Sequence, residues 1–537
     1  MRTRGALAAI WLCFLLRTFF YSAMLPLWEG YDEWSHFAVA RIMATKGELL
    51  APRRSPIPRD VDASLALAPQ PYAMRDDGPP ALTQDEFWKL PAAERTRRVA
   101  NFAAIPPDWR SQDSSGRHLA YEAQHPPLYY WLAALALKVF PYASLATQVM
   151  LLRWMACLLA SLNVPLLFFV ARAVFQNDGL SLGCAAILAV MPEFAIDVAR
   201  VSNECAAVPL FTGLILASVI LVRDGLTWKW GAMGGLALGL GLLTKAYFLA
   251  AAPVFAVACL CAWRCAAKRA SGGWRAVRGG ALFGCLAPPV VIAGWWYLRN
   301  LQTSGTLSGI DPAVATRHMS FWESLHAALG INWARVTDGM LLSHIYYGGW
   351  SGLTVRAWMY HVFYAGIALA VAGLLLRRRE PAMLLLAGFY ALFWAAQCYD
   401  ASLLLMSSGV AASPGWYAYA VAAAEIPLMI AGLRAVLPER CRPWVAPAGL
   451  AMFAALDLYT VHALAVPYYT GMVAHKANTA IAGLHGADIP RFAEAFDRLS
   501  LFKGPLAAPP VIAGLWFAYL AATGGLLLLI FRSEPGA

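Results

Sequence analysis

The chain has 537 residues, 60% of them hydrophobic and only 14% charged, with a mean hydropathy of +0.55. An ordinary soluble domain is roughly 45–50% apolar and about 25% charged, so a soluble enzyme and a disordered protein are both excluded. The apolar residues form continuous runs rather than ten-residue alternations, which excludes a transmembrane β-barrel and leaves an all-α polytopic membrane protein. The net charge of +11 belongs to loops in such a chain, and no nucleic-acid partner is expected. The ten cysteines contain no CxxC pair and no Cys/His zinc spacing.

Apolar runs predict twelve membrane spans, at about 5–27, 149–171, 180–198, 204–222, 228–244, 247–263, 280–301, 358–376, 381–399, 415–437, 443–466 and 508–531. A thirteenth apolar stretch, from His125 to Tyr142, opens with Pro126 and Pro127 and is expected to be a re-entrant or membrane-surface helix. With both termini in the cytoplasm, the loops on that side collect 17 basic residues against five acidic ones. The positive-inside rule then predicts an inner (cytoplasmic) membrane protein whose segments 28–142, 302–357 and 467–507 lie outside. Three regions follow: 1–301, the second outer loop 302–357, and a C-terminal transmembrane part 358–537.

The first outer loop is the anomaly. Residues 28–124 hold 14 of the chain's 31 carboxylates. They begin with Gly30-Tyr-Asp32-Glu33-Trp-Ser-His36, where a short helix is expected over 33–46. An Asp-Glu pair at a helix start has an ordinary explanation in the positive end of the helix dipole. The functional alternative is a general base at the membrane surface beside a carboxylate that orients a partner or a cation. The loop returns to the membrane through Glu122-Ala-Gln-His125-Pro-Pro-Leu-Tyr129-Tyr130. Farther on, Leu243-Thr-Lys245 and Trp295-Trp-Tyr-Leu-Arg299-Asn300 place single cations at outer span ends. Snorkelling beside interfacial aromatics would explain them, and so would a lipid phosphate at that depth. Arg200-Val-Ser-Asn203-Glu204 forms a further polar cluster at the same level. Within the predicted spans, charge is visible at Arg17, Arg153 and Glu425.

Taken in this order, these motifs resemble the GT-C superfamily of membrane glycosyltransferases, close to protein O-mannosyltransferases and aminoarabinose transferases. The resemblance covers about residues 1–300. It implies a GT-C-like bundle of about 12–13 helices whose large first extracytoplasmic loop carries juxtamembrane helices. It also implies a polyprenyl-phosphate- or diphosphate-linked sugar donor, and a glycan, lipid or protein acceptor reached outside the membrane. Carried over, Asp32 would be the base and Glu33 its supporting neighbour. His36, Glu122, His125, Tyr129, Lys245, Arg299 and Asn300 would contact substrate, with Lys245 and Arg299 facing the donor phosphate. The transfer would be a single inverting displacement; whether a divalent metal ion assists is left open. Where relatives often have Gly-Arg-Tyr, this chain has Gly415-Trp416-Tyr417 and lacks that arginine. The competing expectations are a lipid-linked-sugar flippase, or a non-catalytic protein of the same fold in which Asp32 and Glu33 merely cap a helix.

Overall fold

Every predicted span is helical in the computed structural model, which describes residues 3–50, 55–77, 81–269, 279–376 and 380–533. Arg2, Arg275, Arg278, Arg377, Arg378, Arg379 and Glu534, all used in the orientation count, lie outside the described residues. Among the described residues β-structure is limited to isolated bridges, so the chain is an all-helical, multi-pass membrane protein. Among the described residues ten helices are long and apolar enough to cross a bilayer on their own. An eleventh span is a broken pair, Asp178–Val190 followed by Pro192–Val198, bent by 65°. The remaining predicted span, Trp228–Leu242, is a glycine-rich helix of 15 residues. At 1.5 Å per residue it reaches about 22 Å, short of the ~30 Å hydrocarbon layer. The stretch after His125-Pro-Pro is the 12-residue apolar helix Leu128–Val139, again too short to span.

The break at Met191-Pro192 has a plain cause. Proline lacks an N–H and pushes the residue before it into extended backbone, and Met191 has φ −66°, ψ 118°. This leaves the last carbonyls of Asp178–Val190 without helical partners inside the bundle, a serious cost in lipid. Arg17, on the first helix α1 (Thr3–Met24), supplies the missing donors. Its guanidinium donates to the carbonyls of Ala189 and Val190 and pairs with Asp457 at 2.5 Å. Asp457 also accepts from Tyr21 (2.6 Å) and Tyr519 (2.8 Å). The bundle therefore holds more charge than the sequence suggested: Asp457, Glu193, Asp197 and Arg200 are buried beside Arg17 and Arg153.

The helices Ala357–Leu376 and Ala422–Val436 meet through glycines. A Cβ added at Gly373 would overlap the Gly432 carbonyl, and one at Gly432 would overlap that of Ala370. Backbone atoms cannot step aside, and small residues are what allow such close approach between membrane helices. Gly432→Leu is expected to destabilise the protein by about 1–3 kcal/mol or more, read as a lower melting temperature in detergent. An unchanged melting temperature would show that the two helices are not held together there.

Candidate active site

The end of α1 is fastened by two cations, which fixes the loop that follows. Arg153 donates to the carbonyls of Ser22 (2.7 Å), Leu25 (2.8 Å) and Pro26 (2.7 Å). Lys503 donates to those of Ala23 (2.5 Å) and Met24 (2.9 Å). Together they satisfy the terminal carbonyls of a helix that ends inside protein. From there almost every side chain of 29–33 is tied down. Glu29 accepts from the backbone N–H (2.8 Å) and hydroxyl (2.9 Å) of Ser351. Tyr31 donates to Glu193, stacks on Trp416 with centroids 3.6 Å apart, and lends its carbonyl to Arg200. Gly30 leaves room for that arginine: a Cβ there would meet Arg200 Cδ at 2.6 Å.

The two adjacent carboxylates part company. Glu33 begins the helix α2 (Glu33–Lys46) and points into the bundle. Its oxygens receive Nε and Nη2 of Arg153 at 2.7 and 2.6 Å, and the Val201 N–H at 3.0 Å. The pair is fully buried. Asp32 precedes α2 in a left-handed conformation (φ 57°, ψ 20°), and its side chain makes no capping hydrogen bond. Such backbone costs about 1–3 kcal/mol for a non-glycine residue and persists only when its surroundings enforce it. Helix capping therefore does not account for Asp32. Its carboxylate instead accepts from the Tyr121 hydroxyl at 2.5 Å and remains partly open.

The other motifs converge here. The first turn of the helix α3 (Leu128–Val139) donates from Leu128 N–H to the Leu243 carbonyl at 3.0 Å, so the His-Pro-Pro segment docks on the Leu-Leu-Thr-Lys turn. Tyr297, from the Trp-Trp-Tyr-Leu-Arg motif, donates to the neighbouring Leu242 carbonyl at 3.0 Å. Glu122 lies 2.9 Å from His125 and 3.6 Å from His36, whose other nitrogen meets the Tyr130 hydroxyl at 2.8 Å. Lys245 pairs with Glu204 and lies over the Tyr417 ring at 4.2 Å. Arg200 pairs with Asp197 at 2.8 Å. Among the described residues, the buried polar atoms of this cluster without a hydrogen-bond partner include His125 Nδ1, Asp197 Oδ2, Arg200 Nε and Asn203 Oδ1. Unsatisfied buried polar atoms are rare in folded proteins, and several in one place mark a site for a further polar molecule.

The electrostatics separate the carboxylates. Burial, then the charge on Glu122, pushes Asp32 up to about 6; Tyr121, Arg200 and Lys245 offset this only in part. Burial also resists the charge on Glu122, but the His36 and His125 rings and Lys245 more than compensate and hold its pKa below the usual carboxylate range. His36 is pushed down to about 3, chiefly by burial, with the Glu122 charge opposing and Arg200 and Lys245 adding to the fall. Asp32 is thus held less acidic than an ordinary aspartate, while its neighbour Glu122 is held ionised. Among the described residues no group of three or more His, Cys, Asp or Glu side chains is placed to hold a metal ion.

Asp32, His36, Glu122, His125 and Lys245 are brought into one cluster, and Glu33 lies behind it. Tyr129 is fully buried against Tyr130. Arg299 lies over Trp296 of its own helix at 5.0 Å, and Asn300 donates to the carbonyls of Leu307 and Ser308, closing its own loop. Arg200 and Tyr121 were legible in sequence only as a polar cluster and a loop aromatic. Nothing in their spacing tied either one to Asp32.

Residues 124–290 match the family described as dolichyl-phosphate-mannose-protein mannosyltransferase. The chain is similar to a GT-C membrane glycosyltransferase. The matched segment runs from the His-Pro-Pro motif through Arg200 and Lys245, and it supports a transferase activity. Among solved structures, ArnT from Cupriavidus metallidurans, bound to undecaprenyl phosphate, aligns at 15% identity over 98% of this chain and 77% of its own, with a TM-score of 0.42. The oligosaccharyltransferase AglB of Archaeoglobus fulgidus, in complex with an inhibitory peptide and a dolichol-phosphate, aligns at 14% identity over 93% of this chain and 56% of its own, with a TM-score of 0.32. No curated protein sequence matches the chain.

Proposed function

We propose that this chain transfers a sugar from a polyprenyl-phosphate or polyprenyl-diphosphate donor to an acceptor hydroxyl, on the extracytoplasmic face of the cell's inner membrane. One observation carries it. Of the carboxylates around 29–33, Asp32 alone is partly open and bound by no cation, and it faces a cluster that also holds Lys245 and Arg200. In the proposed step Asp32 accepts the acceptor's hydroxyl proton as that oxygen attacks the anomeric carbon. The bond from that carbon to the phosphate oxygen breaks, and the phosphate leaves with the electron pair. A single displacement inverts the anomeric centre. Lys245 and Arg200 supply positive charge where the leaving phosphate gains negative charge. Arg200 thus takes the part that the resemblance gave to Arg299. Glu33 acts as a positioning residue, holding through Arg153 the loop that strains Asp32 toward the cluster. The paired charges deeper in the bundle fasten broken helix ends, which favours a fixed scaffold over a transport path.

The face is tested by labelling. Asp113 is exposed in the first loop, and Asp113→Cys, on a background lacking the exposed Cys261 and Cys265, is expected to react with an impermeant maleimide in intact cells. Reaction only after permeabilisation would put the carboxylate cluster on the cytoplasmic side and overturn the proposed face.

A further inference from the structure

Along α2, Arg41 lies five residues beyond His36, a rotation of about 140° that turns it away from the carboxylate cluster. Its side chain is 3% exposed. Nη1 donates to Asp60 at 2.6 Å, and the guanidinium lies over the Phe37 ring at 4.8 Å. Nε and Nη2 are buried and have no hydrogen-bond partner. These two atoms share one edge of the guanidinium fork, the edge with which Arg153 grips both oxygens of Glu33 in this same chain. Two parallel donors on that edge match two oxygens of a carboxylate or phosphate.

Arg41 lines a cavity of about 590 Å³ between the first loop and the 500–509 segment. A volume of roughly 300–1,000 Å³ is usual for a site holding a small ligand. Arg110, whose Nε donates to the Pro107 carbonyl, lines it as well, so the cavity wall carries two guanidinium groups and one carboxylate, Asp60. The remaining wall is largely apolar, including Phe102, Ile105 and Phe502. Its rim includes Leu145 and Pro509, the first residues of two spans, beside a fully solvent-facing Tyr142. This is the level at which a bilayer presents its phosphates.

We infer that this cavity is a second binding site, separate from the carboxylate cluster, for a phosphate group esterified to an apolar body. The Nε/Nη2 edge of Arg41 grips two phosphate oxygens, Arg110 is the second cation, and the apolar wall takes the esterified group. The same chemistry is presented by a phospholipid headgroup and by a soluble phosphate.

Equilibrium titration of the purified full chain in non-ionic detergent separates these sources, with dioctanoyl phosphatidic acid, dioctanoylglycerol and inorganic phosphate as probes. Phosphatidic acid is expected to bind and dioctanoylglycerol to bind at least about tenfold more weakly. Inorganic phosphate binding with the same dependence on Arg41 would mean that the phosphate alone suffices; binding of the lipid only would assign a headgroup site. Arg41→Lys keeps the charge beside Asp60 but loses the two-donor edge, and is expected to weaken phosphatidic acid by about tenfold or more. Arg110→Gln, at a partly exposed position, is expected to weaken it as well, and carries the test if Arg41→Lys fails to fold. Lys245→Gln, which alters the other cluster, is expected to leave this binding intact. Equal affinity for phosphatidic acid and dioctanoylglycerol, or wild-type binding in Arg110→Gln or in a folded Arg41→Lys, would overturn the inference. So would binding lost in Lys245→Gln alone.

Discussion

Replacing Asp32 by asparagine is expected to lower sugar transfer by about 100-fold or more while leaving insertion and fold intact, because general-base contributions run at about 10²–10⁴-fold. Asparagine keeps the shape and still accepts from Tyr121, and it tolerates the left-handed backbone, so a purely structural role would lose little. The pH profile gives a second reading. With the Asp32 pKa raised to about 6, the carboxylate is protonated below that pH and cannot act as a base. The rate should therefore rise through about pH 6 and level off above it. Tyr121→Phe removes a hydrogen bond that favours the ionised form, so the rise should move to higher pH. Transfer from a panel of polyprenyl-phosphate-linked sugars, measured on purified protein at matched amounts, is the assay. Full activity in Asp32→Asn would remove Asp32 from the mechanism, and a profile unmoved by Tyr121→Phe would mean that the limb near pH 6 belongs to another group.

The second large effect concerns Arg153. Arg153→Met would leave Glu33 charged and unpaired in the interior and free the carbonyls of Ser22, Leu25 and Pro26. Removing one member of a buried pair costs about 3–5 kcal/mol, so this variant should unfold or fail to accumulate. Glu33→Gln leaves Arg153 its three carbonyls and should lose less stability. The double variant Glu33→Gln with Arg153→Met should recover part of the loss, since neither charge is then stranded. Thermal unfolding followed by intrinsic tryptophan fluorescence measures all three. A Glu33→Gln protein of full stability that nevertheless loses as much activity as Asp32→Asn would make Glu33 part of the chemistry instead of its support.

The sequence by itself determined the class of the molecule. Continuous apolar runs require helices in a bilayer, because only a helix satisfies its own backbone there, and the helices stand where the runs predicted them. It also located the polar anomaly, since carboxylates crowded into one loop of an apolar chain are visible without coordinates. Pro126-Pro127 marked the short α3, whereas the break at Pro192 fell inside 180–198, a stretch that reads in sequence as one continuous span.

The partners of the charges were decided only by tertiary structure. Asp32 and Glu33 are neighbours with similar chemistry, yet one is held by Arg153, 120 residues away, and the other opens toward Tyr121, 89 residues away. Arg17 and Asp457 lie 440 residues apart and meet where a broken helix needs donors. In sequence Arg299 reads as a single cation at a span end and Arg200 only as part of a polar cluster; packing brought Arg200 against Tyr31 beside Asp32 and left Arg299 over Trp296. Hydrophobic periodicity specifies which residues enter the membrane. It carries no information about which buried charge will find which, because that depends on how the helices cross and where their unsatisfied ends fall.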